Sequence, residues 1–245
     1  MTGLELAVTW IGVALVGAVL ALDETALAQT WLAQPLPAAL CTGLVAGDPA
    51  AALVPGFFMQ LLVLGNLPVG AASTLDATSA TIGVVGGVLV AGAGPALGAS
   101  PLAVWQAGAG WQIGLMLVIM AVASHLGGHL VRLERRSHLA WKLAVYRQLR
   151  DGDFQVVDML QRRALGVCAL RGAAVTLLVA VLVGMLWPVG SAAIPEAARR
   201  VLALAPLLTV PLAVGGLSDR VGHRRAAPWL VGSLVLGLGL GWWLW

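Results

Sequence analysis

Hydrophobic positions along the chain gather into long runs, at about 4–22, 31–46, 50–72, 77–98, 102–131, 164–188, 197–217 and 227–245. Most show neither the two-residue alternation of a half-buried strand nor the polar stripe of a surface helix, so the pattern predicts helices that are apolar all round. About 20 such residues cross a bilayer core roughly 30 Å thick. The fold class expected is an all-α, polytopic integral membrane protein with about seven or eight hydrophobic segments, forming a single membrane domain over 1–245. The second and third runs are short or broken.

The broken stretch is GDPAAALVPGFFMQLLVLGNLPVGAASTLD, residues 47–76. Pro49, Pro55 and Pro68 interrupt it, and Asp48, Gln60 and Asp76 carry polarity through it. Asp48, between Gly47 and Pro49, has the chemistry of a helix N-cap followed by proline at the first helical position. Past Gln60 the prediction is not one continuous helix, because Pro68 removes a backbone donor and irregular backbone at membrane depth is tolerated only where it is buried or lines a cavity. A discontinuous or re-entrant element near 48–76 is the consequence, of the kind that transport sites use.

Small residues recur in GVVGG at 83–87, GAGWQIG at 108–114 and GLGLG at 237–241. Such spacings let membrane helices approach closely. The one long polar segment, 132–163, interleaves charges with Leu139, Leu143, Val145, Leu149, Val156, Val157 and Leu160, and reads as two short surface helices broken at Gly152. It serves either as a connector on the membrane surface or as a docking surface for a partner.

Composition agrees with the pattern. The chain is 60% hydrophobic and 10% charged, with a mean hydropathy of +0.93, against about 25% charged residues in a soluble domain. Charge then divides it. Residues 1–131 hold Glu5, Asp23, Glu24, Asp48 and Asp76 but no Lys or Arg, and all 14 basic residues follow. The acidic half 1–131 is expected to hold the ligand site, 132–163 to be a basic cytoplasmic loop by the positive-inside rule, and 164–245 to be C-terminal membrane segments. DRVGHRR at 219–225 falls on the same side two crossings later. No nucleic-acid role is expected, since these cations orient a membrane chain. The N-terminal run lacks a basic n-region and an A-x-A cleavage site, and is expected to be retained as a membrane segment.

Chemistry narrows the candidates. Ionisable groups in apolar surroundings cost several kcal/mol unless they face a cavity or a partner. Gln60 fits two roles, a hydrogen bond to a sugar hydroxyl or one between helices, and Asp23 fits headgroup contact or function. No GxSxG, HExxH, Walker A or GxGxxG is present, so no catalytic residue, metal or cofactor is expected. His125 and His129, one turn apart, read as an interfacial pair rather than a metal site. Cys41 and Cys168 read as small buried side chains.

Three stretches carry a family resemblance: LDE at 22–24, QPLPAALCTGLVAGD at 34–48 and FMQLLVLGNLPVGAASTLD at 58–76. Together they resemble the membrane component IIC of the mannose/fructose/sorbose class of bacterial phosphotransferase systems, most closely over about 15–90. Gln60 stands where that family often has Glu, Pro68 where Asn is often found, and Gln34 where it has Arg. The resemblance implies a sugar permease subunit of the bacterial inner membrane, with a IID membrane subunit and cytoplasmic IIA and IIB phosphocarriers as partners. It also implies an oligomer, a sugar held between IIC and IID and phosphorylated by IIB, and no phosphorylated residue in this chain. On this reading Gln60 and Asp76 contact the sugar at mid-depth, and Asn66 and Asp23 are weaker candidates. An ion-coupled carrier using Asp48 or Asp76, and a non-transporting scaffold, are the other readings.

Overall fold

The computed structural model describes residues 2–25, 30–64, 75–93, 108–150 and 155–221, together with positions 228, 231, 232, 235 and 239. Seven helices lie within the described residues: α1 (Gly3–Thr25), α2 (Pro35–Ala46), α3 (Pro49–Val63), α4 (Ala77–Val90), α5 (Gly110–Arg150), α6 (Gln155–Ala192) and α7 (Glu196–Val221). Four of them, α1, α5, α6 and α7, are long and apolar enough to cross a membrane. The other three are apolar but have only 12, 15 and 14 residues. At 1.5 Å per residue these span about 18–23 Å, short of a roughly 30 Å core.

Helices α2 and α3 form a hairpin, and local chemistry makes its turn. Gly47 closes α2 with φ 84, and its N–H donates to the Gly43 carbonyl; only glycine takes that left-handed conformation freely. Asp48 then starts α3, accepting the Ala51 N–H at 3.0 Å, with Pro49 at the first helical position as the Gly-Asp-Pro sequence predicts. A β-carbon on Gly43 would collide with Ala52 and Pro49, and one on Gly56 with Ala39 and the Pro35 carbonyl. Two glycines thus set the close approach of the hairpin.

As expected, the chain past Gln60 is not one continuous helix: α3 ends at Val63 and α4 begins at Ala77. Pro55 lies inside α3, which runs on to Val63. One missing N–H is tolerated where packed neighbours surround the freed carbonyl. Asp48 starts the second helix of a hairpin whose first helix begins at Pro35, while Pro68 and Asn66 lie outside the described residues.

Around the hairpin, α1 and α6 run antiparallel, with Gly17 against Thr176 and Trp10 against Gly184. Helix α4 runs beside α6, with Gly83 and Gly87 on Val179 and the Ala180 carbonyl, so GVVGG does serve close packing. Gly114 meets the backbone of Leu202 in α7 in the same manner. The main core joins α3, α4, α5 and α6 through Met59, Val84, Val88, Ile113, Met116, Met120 and Trp187. In GLGLG only Gly239 is described, and nothing approaches it.

The polar segment 132–163 is not a loop carrying short surface helices. Residues 132–150 continue α5 and residues from Gln155 begin α6, so both membrane helices extend as one hairpin past their apolar parts. Its residues Leu, Ala, Arg, Lys, Glu and Gln are all good helix formers. Gly152 lies outside the described residues.

Candidate functional site

The polar residues of the first half meet at one end of the bundle, where α1 ends, the α2–α3 hairpin opens and α4 begins. At the mouth of the hairpin the Gln60 amide carbonyl accepts the Leu36 N–H at 3.4 Å, and its Nε2 donates to Gln34 Oε1 at 3.1 Å. Gln34 is the residue before α2, and its own side chain makes no capping bond. Gln60 thus satisfies, from the neighbouring helix, a first-turn N–H that a helix leaves without an internal partner. Both glutamines are half-buried. One end of the Gln34 amide keeps no partner among the described residues.

Asp23, 7% exposed, holds the turn beside this pair. Its carboxylate accepts the Thr30 N–H at 3.0 Å, the Thr30 hydroxyl at 2.9 Å and the Ala33 N–H at 3.2 Å. Thr30 in turn accepts the Leu32 N–H and caps the short turn Trp31–Ala33. The Ala33 carbonyl accepts the Thr78 hydroxyl from the first turn of α4. Asp23 is therefore engaged by donors of its own chain and braces this turn.

Asp76 is likewise occupied. It is fully buried, and one oxygen caps α4 by accepting the Ser79 N–H at 3.0 Å. The other accepts from the Arg171 guanidinium at 2.7 Å. Its backbone N–H donates to the Ser124 carbonyl of α5 at 3.0 Å. Asp76 was expected to contact a sugar; here one oxygen takes a backbone donor and the other a charged one, and the residue is fully buried.

Arg171 was not singled out from the sequence, although it stands alone among the apolar residues 164–188 and that isolation is a signal. Its guanidinium also pairs with Glu134 of α5, and the side chains of Arg171, Asp76 and Glu134 are 8%, 0% and 9% exposed. Nearby, the buried Cys168 thiol donates to the Ala21 carbonyl at 3.2 Å. An ion triad thus ties α4, α5 and α6 together. Hydrogen bonds join Asp23, Ala33 and Thr78, and Asp76, two residues before Thr78 in the chain, pairs with Arg171.

Depth follows from helix length. The stretches from Gly3 to Asp23 and from Arg171 to Ala192 are each about 30 Å long. The polar cluster therefore lies at the end of α1 that is nearer the basic segment 132–163. The Gly47–Asp48 turn reaches about 18 Å away from it, into the bundle. Among the described residues the half-buried part of the site is two amides, which offer a ligand both donors and acceptors.

The comparisons with known proteins agree with this architecture. The family model described as the PTS system sorbose-specific IIC component matches residues 7–208 of the 245. A solved structure titled only as a membrane protein is 21% identical, covers 98% of this chain and 92% of its own, and superposes with a TM-score of 0.69. The cryo-EM structure of the mannose transporter ManYZ in complex with microcin E492 is 24% identical, covers 99% of this chain and 86% of its own, and has a TM-score of 0.50. At these identities the likeness is one of fold. No curated protein matches the chain.

Proposed function

The chain belongs to the family of sorbose-specific IIC components of the phosphotransferase system, and from that premise we propose that it is a multi-pass sugar permease subunit. In this reading it holds a hexose or related sugar at the Gln34–Gln60 pair and passes it to the basic face of the bundle. The observation that carries the reading is that pair. Two amides at the mouth of a re-entrant hairpin offer a neutral ligand both donors and acceptors, while the carboxylates around them are bound internally.

The direct contacts fall to Gln34 and Gln60. Asp23 and Asp76 act behind them, one through the Thr30–Ala33 turn and the other through the start of α4. Asn66 keeps its place as a candidate on the sequence reading alone. Residues 132–163 face the cytoplasm of a bacterial inner membrane in this account, so the sugar leaves on the side where phosphate is added. A IID membrane subunit completes the site, and cytoplasmic IIA and IIB proteins carry the phosphoryl group. No covalent step falls to this chain.

Ion-coupled transport has less support. Asp48 caps α3 and Asp76 is paired with Arg171, so the two carboxylates that reading needs are both engaged. Uptake by cells lacking their own permease, supplied with this subunit and its partners, separates the readings. The expected result is uptake that requires phosphoenolpyruvate and the soluble phosphocarriers, and that Gln60→Leu abolishes while the protein still inserts. Unaltered uptake by Gln60→Leu, or uptake by this chain alone driven by an ion gradient, would overturn the proposal.

A further inference from the structure

A groove of about 650 Å³ runs along the apolar parts of α5 and α6, from Leu130 and Val175 at one end to Leu115 and Ile194 at the other. Leu115 to Leu130 is about 22 Å of helix, longer than one leaflet of a roughly 30 Å core. Val118, Val122 and Leu182 in its wall are 48%, 57% and 48% exposed, so the groove opens sideways toward the membrane. Thirteen of its eighteen lining residues are Leu, Ile or Val, whereas helices that pack in a membrane favour small and hydrogen-bonding residues at their interface. Its Gly127 is already taken up by Asp76 of α4. Such a lining suits a flexible hydrocarbon chain better than another helix.

The end of the groove away from residues 132–163 carries polar chemistry. Trp111 and Gln112 lie one helical turn before Leu115 on α5. The Arg199 guanidinium of α7 stands 4.8 Å from the centre of the Trp111 ring, which holds a cation in place. It also donates to the Ala192 carbonyl at 3.4 Å, next to the lining residue Ser191. Arg200 is paired with Glu196 at 3.4 Å, but among the described residues Arg199 has no carboxylate partner. Its Nε is buried without a hydrogen bond, and so is Gln112 Oε1. A buried donor or acceptor left unmade is costly. Arginine at this end also runs against the bias that gathers Lys and Arg on the side of 132–163.

One cationic N–H calls for an anionic oxygen, one amide carbonyl for a hydroxyl, and the groove for a hydrocarbon chain. We infer that the α5–α6 groove binds a net-negative phospholipid with a hydroxylated headgroup. Its phosphate sits on Arg199, a headgroup hydroxyl donates to Gln112, and an acyl chain lies along Val118, Val122 and Leu182. The site is at the other end of the bundle from the Gln34–Gln60 pair. The inference goes beyond the permease reading and holds whichever sugar is carried.

Native mass spectrometry of the purified full chain, titrated with phosphatidylglycerol and with phosphatidylcholine of the same acyl chains, tests this. The wild-type chain should retain phosphatidylglycerol at least about tenfold more tightly, the fold-change of one charge-assisted hydrogen bond. Arg199→Gln should remove that preference. Leu182→Trp, which fills the groove, should weaken both lipids, while Leu170→Trp, 70% exposed and outside the groove, should change neither. Glycerol phosphate, which carries the headgroup chemistry without the chains, should not compete. Equal retention of the two lipids, a preference that survives Arg199→Gln, equal effects of Leu182→Trp and Leu170→Trp, or competition by glycerol phosphate would overturn the inference.

Discussion

Gln60 uses both ends of its amide inside the protein, one on the Leu36 N–H and one on Gln34, so its geometry is set before any ligand arrives. Its presence in an apolar run was legible in the sequence; its partner was not, because Gln34 lies 26 residues away and only the hairpin turn brings the two together. The same distance effect hid Arg171, which meets Glu134 and Asp76 across separations of 37 and 95 residues. A buried ion pair loses about 3–5 kcal/mol when one partner is removed, since the other is left as an uncompensated charge. Arg171→Met, which leaves two buried carboxylates facing each other, should therefore lower thermal stability in detergent strongly. Adding Asp76→Asn to it should cost less than the sum of the two single changes, because the remaining carboxylate is then alone. Strict additivity of the two midpoints would show that the pair is not coupled.

The helical hairpin of α2 and α3 shows which elements declare themselves locally. Gly47, Asp48 and Pro49 carry the whole turn in three consecutive residues, and both the cap and the proline position follow from them. Pro55 misleads, since a proline that ends a helix in water can remain inside one that is packed on all sides. Residues 132–163 mislead in the opposite sense. Their charge suggests a loop, yet nothing in them stops a helix, and α5 and α6 continue through. Gly56 decides whether the hairpin can close, as a side chain there meets Ala39 and the Pro35 carbonyl. Gly56→Val should destabilise the protein by about 1–3 kcal/mol, the usual cost of overpacking. Because it displaces Gln60 from Gln34, it should also reduce uptake more than Gly166→Ala, where a β-carbon meets no neighbouring atom. Equal effects of the two changes on uptake would count against the close packing described.

At the scale of the whole molecule, the polar groups of the candidate site share one end. The glutamine pair, the Asp23 brace, the Asp76–Arg171–Glu134 triad and the projecting basic hairpin share it, while the re-entrant turn points the other way. The number and character of the helices could be read from the runs, as could the division of charge between the two halves. How three short helices fill the space among four long ones could not, since that depends on glycine contacts between distant segments. The arrangement makes one claim above the others: a neutral sugar binds to the two amides, with the carboxylates acting only behind them. Equilibrium binding of a panel of radiolabelled hexoses to the purified membrane complex, wild type against Gln34→Leu, Gln60→Leu and Asp76→Asn, tests it most directly. The account predicts affinity at least about tenfold weaker in both glutamine variants, from the loss of one or more hydrogen bonds worth about 1.5 kcal/mol each, and a smaller change in Asp76→Asn. Unchanged affinity in both glutamine variants, with binding lost in Asp76→Asn, would contradict it.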